Sequence, residues 1–139
     1  MEVSVRELVE ADRETLRRVH VAARDATFVW ARPGAHWLKD FDKNTAGERV
    51  LVAVCSGVPL GFAAIWEPDS FLHSLFVDPD FQRRGVGGAL LAACEKYFSQ
   101  APTLKYIKAS ESVQRFYLSQ GWRVIGQGQG PGLKGPMSS

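Results

Sequence analysis

The stretch Leu72-His73-Ser74-Leu75-Phe76-Val77-Asp78-Pro79-Asp80-Phe81-Gln82-Arg83-Arg84-Gly85-Val86-Gly87-Gly88-Ala89-Leu90-Leu91 decides the fold. Leu72 to Val77 is a run of strand formers, stopped by Asp78-Pro79-Asp80. From Gly85 to Phe98 the apolar residues Val86, Leu90, Ala93, Cys94 and Tyr97 fall on one helical face. Between strand and helix, Gly85, Gly87 and Gly88 bring no Cβ, so backbone N–H groups can approach a ligand closely. The start of a helix gathers unpaired N–H donors and a partial positive charge, which suits a phosphate. Arg83 and Arg84 add donors of matching sign. The junction therefore predicts a site for a phosphate-bearing cofactor.

Glycine-rich loops of other kinds fit less well. A Walker loop ends in Gly-Lys-Ser/Thr, which does not occur here. A dinucleotide loop needs a third glycine, where Leu90 stands, and follows its strand more tightly than Val77 to Gly85 allows. Leu75 to Pro79 followed by Gln82-Arg83-Arg84-Gly85-Val86-Gly87 resembles the acetyl-CoA motif of the GCN5-related N-acetyltransferase (GNAT) family, Gln/Arg-x-x-Gly-x-Gly/Ala after a Val-Asp-Pro turn. Downstream, Arg115-Phe116-Tyr117-Leu118-Ser119-Gln120-Gly121-Trp122 resembles that family's Phe-Tyr-x-x-x-Gly-Phe/Trp segment. Val113, Phe116 and Tyr117 have helical spacing, and Gly121 is a good residue to end the helix.

Working outward, the 139 residues predict one domain with a real core. A net charge of +2, with basic residues scattered apart from Arg83-Arg84, is too small to argue for a nucleic-acid partner. Cys55 and Cys94 lie in apolar runs and read as buried reduced thiols, which point to a cytoplasmic setting. No signal-peptide pattern or membrane-length apolar run is visible, so no membrane partner is expected. The three histidines are far apart and do not pair with the cysteines, so no metal is expected.

Element by element, Val3 to Arg6 alternates as a first strand. A helix follows through Leu16, Val19, His20 and Ala23, with Asp12 or a neighbour as its cap. Asp25 to Trp37 is irregular, with room for a short second helix. Val50–Cys55 and Leu60–Trp66 form a hairpin across Ser56-Gly57-Val58-Pro59. The strand from Phe71, the glycine-loop helix, a strand over 104–109, the short helix and a strand over 121–125 complete an α+β fold. The resemblance implies a mixed, mostly antiparallel sheet flanked by helices and splayed at the cofactor strand. Residues 1–125 make the domain. Residues 126–139 are a Gly/Pro-rich tail, either disordered or carrying a weak last strand within Leu133–Met137. An unfinished sheet edge would favour a homodimer.

The resemblance implies transfer of an acetyl group from acetyl-CoA, the donor co-substrate, directly to a primary amine of a small molecule or peptide. The alternative is an acetyl-CoA-binding module with little catalysis that acts through a protein partner. A lysine-like amine of pKa about 10.4 must lose a proton first, at a cost of roughly 4.6 kcal/mol at pH 7. By resemblance, the backbone at Leu75, Phe76 and Val77, the loop Gln82 to Gly88, Ser110 and Tyr117 hold the cofactor. Tyr117 donates toward the departing sulfur. Ser110 stands where the family commonly has asparagine. The glutamate that some relatives carry on the strand matching 104–109 is replaced by Lys105. The base is then His73, Glu67 acting through water, or water alone. Strand alternation would put His73 on the face of Leu75 and Val77. Phe28, Trp30 and Trp66, with Trp37 beside them, are candidates for the acceptor wall through cation–π contact or for plain core packing.

Overall fold

The computed structural model describes residues 2–27, 40–81, 84–105, 111–125 and 132–135. Its elements are β1 (Ser4–Glu7), α1 (Arg13–Thr27), α2 (Asp40–Thr45), β2 (Arg49–Cys55), β3 (Val58–Trp66), β4 (Phe71–Val77), α3 (Val86–Cys94), β5 (Thr103–Lys105), α4 (Glu111–Ser119), β6 (Arg123–Ile125) and β7 (Gly132–Lys134). The strands form one sheet in the order β1-β2-β3-β4-β5-β7-β6. Among the described residues only β4 and β5 run parallel, so the sheet is mixed and mostly antiparallel, as expected.

β2 and β3 carry almost unbroken apolar runs, Val50 to Val54 and Leu60 to Ile65, and every residue in them is buried. Such strands need cover on both faces. One face packs Leu51, Ala53, Ala63, Ile65 and Leu72 against Val86, Leu90, Leu91 and Cys94 of α3, with Tyr117 and Trp122. The other packs Val50, Val52, Val54, Phe62 and Ala64 against Leu16 of α1 and Phe41 of α2. The hairpin between β2 and β3 turns on Ser56 and Gly57, both at positive φ (50° and 79°), the geometry that matches strand twist.

α1 is fixed at its entry by Asp12, whose carboxylate accepts from the Val9 N–H at 2.9 Å and from both Arg6 Nη atoms at 2.7 and 2.9 Å. Arg6 and that N–H hold the Asp12 carboxyl below its ordinary pKa, against the opposing effect of burial. α2 was not foreseen: Phe41 is its one large apolar residue, too little for a periodic signal. Arg13 and Arg17 of α1 both reach Asp42 and tie the short helix down. The segment expected to hold a second helix lies largely outside the described residues.

The tail supplies β7, between β5 and β6. Gly135 makes the insertion fit. A Cβ there would lie 2.7 Å from Trp122 Cε2 and 2.8 Å from Pro102 Cγ, and its N–H donates to the Pro102 carbonyl at 2.7 Å.

Candidate active site

β4 is laddered to β3 on one side along its length, with one irregularity at His73. On the other, the pairing with β5 among the described residues is Phe71 with Thr103. That end is knotted by Ser70, whose carbonyl accepts from Thr103 N–H at 3.1 Å. Its Oγ accepts from the Ser99 and Gln100 N–H groups at 2.9 and 3.2 Å. On its opposite edge β5 pairs with β7 from Thr103 to Lys105. Phe71 with Thr103 is the one β4–β5 pair among the described residues, which is consistent with the expected splay.

At the far end of β4, Asp78 shapes the turn. Its Oδ1 accepts from Asp80 N–H at 2.9 Å and its carbonyl from Phe81 N–H at 2.8 Å. Gly85 (φ 83°) is the N-cap of α3. Arg84 and Gly85 are exposed at that helix start, while the Val86 side chain is buried in the core. The exposed helix start and arginine fit a phosphate group. Gly87 has a second reason to be glycine: a Cβ there would lie 3.0 Å from Phe116 Cζ, so its bare face lets α3 meet α4.

Tyr117 on α4 is buried, edge-on to Phe116 and Trp122 with 5.2 Å between ring centroids in each case. Burial above all, and then neighbouring Cys94, pushes its hydroxyl well above the usual pKa. Burial also pushes the Cys94 thiol up to about 12. Both groups are protonated at neutral pH.

His73 lies at an irregularity in the β3–β4 ladder, where Ala64 pairs with Ser74 but Ile65 pairs with Leu72. The extra residue breaks the alternation. Leu72, Leu75 and Val77 all pack on the α3 side, whereas His73 turns to the opposite face and meets Glu48. Its predicted face-sharing with Leu75 and Val77 is thus corrected: a bulge is invisible to a period-2 reading. Nδ1 lies 2.8 Å from one Glu48 oxygen and 3.0 Å from the other. The ring stacks on Phe71 at 5.9 Å between centroids and 27° between planes. Glu67, the other base considered, is bonded to Arg49, which also holds Glu7. A recess of about 410 Å³ is lined by Glu7, Leu8, Gly47, Glu48, Arg49, Val50 and Glu67. Trp66 pairs with Phe71, stands over Gly47 and is 41% exposed, enough to meet a ligand.

Residues 14–130 match the acetyltransferase (GNAT) domain family. The chain belongs to the GNAT acetyltransferase family. Over 85 residues it is 33% identical to an uncharacterised N-acetyltransferase, YafP, of Escherichia coli (strain K12), a match covering 61% of this chain and 53% of that protein. The chain thus spans about half the length of that curated relative. The GNAT fold is shared with the PaiA N-acetyltransferase of Thermoplasma acidophilum, solved in complex with coenzyme A (TM-score 0.80, 17% identity, 96% of this chain and 98% of that one). It is also shared with a GNAT acetyltransferase of Kribbella flavida (TM-score 0.75, 20% identity, 96% and 97%).

In this GNAT chain the structure gathers Leu75, Phe76, Val77, Arg84, Gly85, Val86, Gly87 and Gly88 around one end of β4. His73 and Trp66 lie toward the other end of β4. Gln82, Arg83, Ser110, Phe28, Trp30 and Trp37 lie outside the described residues. Glu48 and Phe71 were missed. Glu48 is an acidic residue just before a strand, and only the register across β2, β3 and β4 brings it beside His73.

Proposed function

We propose that this chain transfers the acetyl group of acetyl-CoA directly to a primary amine of a small molecule or peptide. The observation that carries the reading is the strand β4, which among the described residues pairs with β5 at Phe71 and is followed, after the Asp78 turn, by an exposed helix start bearing Arg84 and Gly85. An open strand edge suits an amide-bearing arm, and the helix start suits its phosphates. The solved PaiA enzyme with coenzyme A shares this fold.

His73 accepts the first proton from the acceptor ammonium. The amine nitrogen then bonds to the acetyl carbon as the carbon–sulfur bond breaks. Nitrogen gives up its second proton to sulfur, and His73 releases the first to solvent. The products are an amide, a thiol and one proton. Tyr117 donates a hydrogen bond to the sulfur as charge develops there. Its raised pKa makes it a weak acid, so it stabilises the thiolate without ionising. Trp66 supplies a wall for the acceptor, and its face attracts a cation.

The test is thiol release from acetyl-CoA with a panel of small amines and lysine-bearing peptides. Amine-dependent release supports the reading. Tight acetyl-CoA binding with no release for any amine would make the chain a binding module.

A further inference from the structure

We infer that Glu48 is the positioning residue for His73, fixing which ring nitrogen carries the lone pair. This rests on the acetyl-transfer reading above. A carboxylate only accepts hydrogen bonds, so the nitrogen facing it must carry the proton. With Nδ1 at 2.8 and 3.0 Å from the two Glu48 oxygens, the neutral ring is held as the Nδ1–H tautomer. The lone pair is then on Nε2, which ring geometry turns away from Glu48. A free imidazole side chain favours the other tautomer, with Nε2 protonated and useless as a base. Glu48 reverses that preference.

Three features make the pair a built one. The Glu48 side chain is 8% exposed while that of His73 is 38% exposed, so the carboxylate is fixed in the fold and the imidazole reaches solvent. Phe71 stacks on the ring and limits its rotation. Of the three carboxylates around the recess, Glu7 and Glu67 are taken by Arg49, which leaves Glu48 to His73. The bulge in β4 is what turns His73 toward this partner. When His73 takes a proton from an ammonium, the resulting imidazolium lies against a carboxylate, as in other base–orienter pairs.

The experiment has two readouts on the full chain. Ring ¹⁵N shifts, assigned with His73→Gln, report the tautomer. Steady-state kinetics report kcat and the KM for acetyl-CoA. The wild type should show the Nδ1–H form. Glu48→Ala should switch it to Nε2–H and lower kcat about tenfold or more, part of the 10²–10⁴ that a general base contributes, with KM for acetyl-CoA unchanged. Glu48→Gln, whose amide oxygen still accepts from Nδ1–H, should keep the wild-type tautomer and lose less kcat than the alanine variant. An Nε2–H tautomer in the wild type overturns the pairing without needing any variant. A tautomer switch with unchanged kcat overturns the positioning role, while acetyl transfer stands. Absence of turnover by the wild type with every amine sinks the acetyl-transfer reading and this role with it, whichever tautomer is seen.

Discussion

The rings of Tyr117 and Trp122 meet edge to face, 5.2 Å between centroids and 62° between planes, and the Trp122 N–H donates to the Tyr117 carbonyl at 3.0 Å. The helix α4 ends between them, through Gly121 at φ 90°. The chain thus folds back so that Trp122 seats the ring of Tyr117. The side chain is held by its ring.

Tyr117→Phe keeps both ring contacts and removes only the hydroxyl. Its melting temperature should stay close to wild type. Its kcat should fall about 10²-fold, the lower range for losing one hydrogen-bond donor to a developing charge, with acetyl-CoA affinity little changed. Calorimetric binding and thiol-release kinetics separate the two effects. An unchanged kcat removes Tyr117 from the mechanism.

Arg84 is exposed at the start of α3, its Cζ 5.6 Å from the Phe81 ring centroid. Arg84→Glu should weaken acetyl-CoA binding about 10- to 100-fold, since a hydrogen bond to a charged group contributes about 1.5–3 kcal/mol. The loss should shrink at high salt. Equal affinity at low salt would move the phosphates elsewhere. Gly87→Glu is a poorer test, because its side chain would start into the Phe116 ring.

The elements of the candidate cofactor site were legible because their signals are local. A strand, an Asp-Pro turn, glycines and a helix follow one another in the chain, and α3 runs from Val86 to Cys94 within the helix read over Gly85 to Phe98. The rest of the candidate site depends on register. His73 and Glu48 are 25 positions apart and meet only because β2, β3 and β4 are adjacent and β4 carries an extra residue. α2 escaped notice because Asp42 and its two arginine partners on α1 hold it, more than any apolar stripe of its own. The tail looked like a poor strand for the same reason: Gly135 favours no sheet, yet it alone leaves room for Trp122 and Pro102.

Gly135→Val should therefore destabilise the protein by about 1–3 kcal/mol, the usual cost of forcing extra carbons into a filled space. Urea unfolding measures it. Acetyl-CoA affinity should change little once the folded fraction is accounted for. A midpoint equal to wild type would show that β7 does not pack on Trp122.

Alkaline stability tests the buried pair Cys94 and Tyr117. Both have folded pKa values raised above their ordinary ones, the thiol from 9.0 to about 12. Below pH 9 the folded and unfolded thiols are alike protonated and the contribution to stability is intact. Between pH 9 and about 12 the unfolded thiol ionises while the folded one does not, so stability falls as pH rises. The slope from one such group is at most about 1.4 kcal/mol per pH unit. Tyr117 adds its own fall above its ordinary value of 10.0. Cys94→Ala leaves a small cavity and lowers stability at pH 7, but should flatten the loss that begins near pH 9. Chemical denaturation from pH 7 to 10.5 measures both slopes, and equal slopes would mean that the Cys94 thiol ionises as readily in the folded protein as in the unfolded chain.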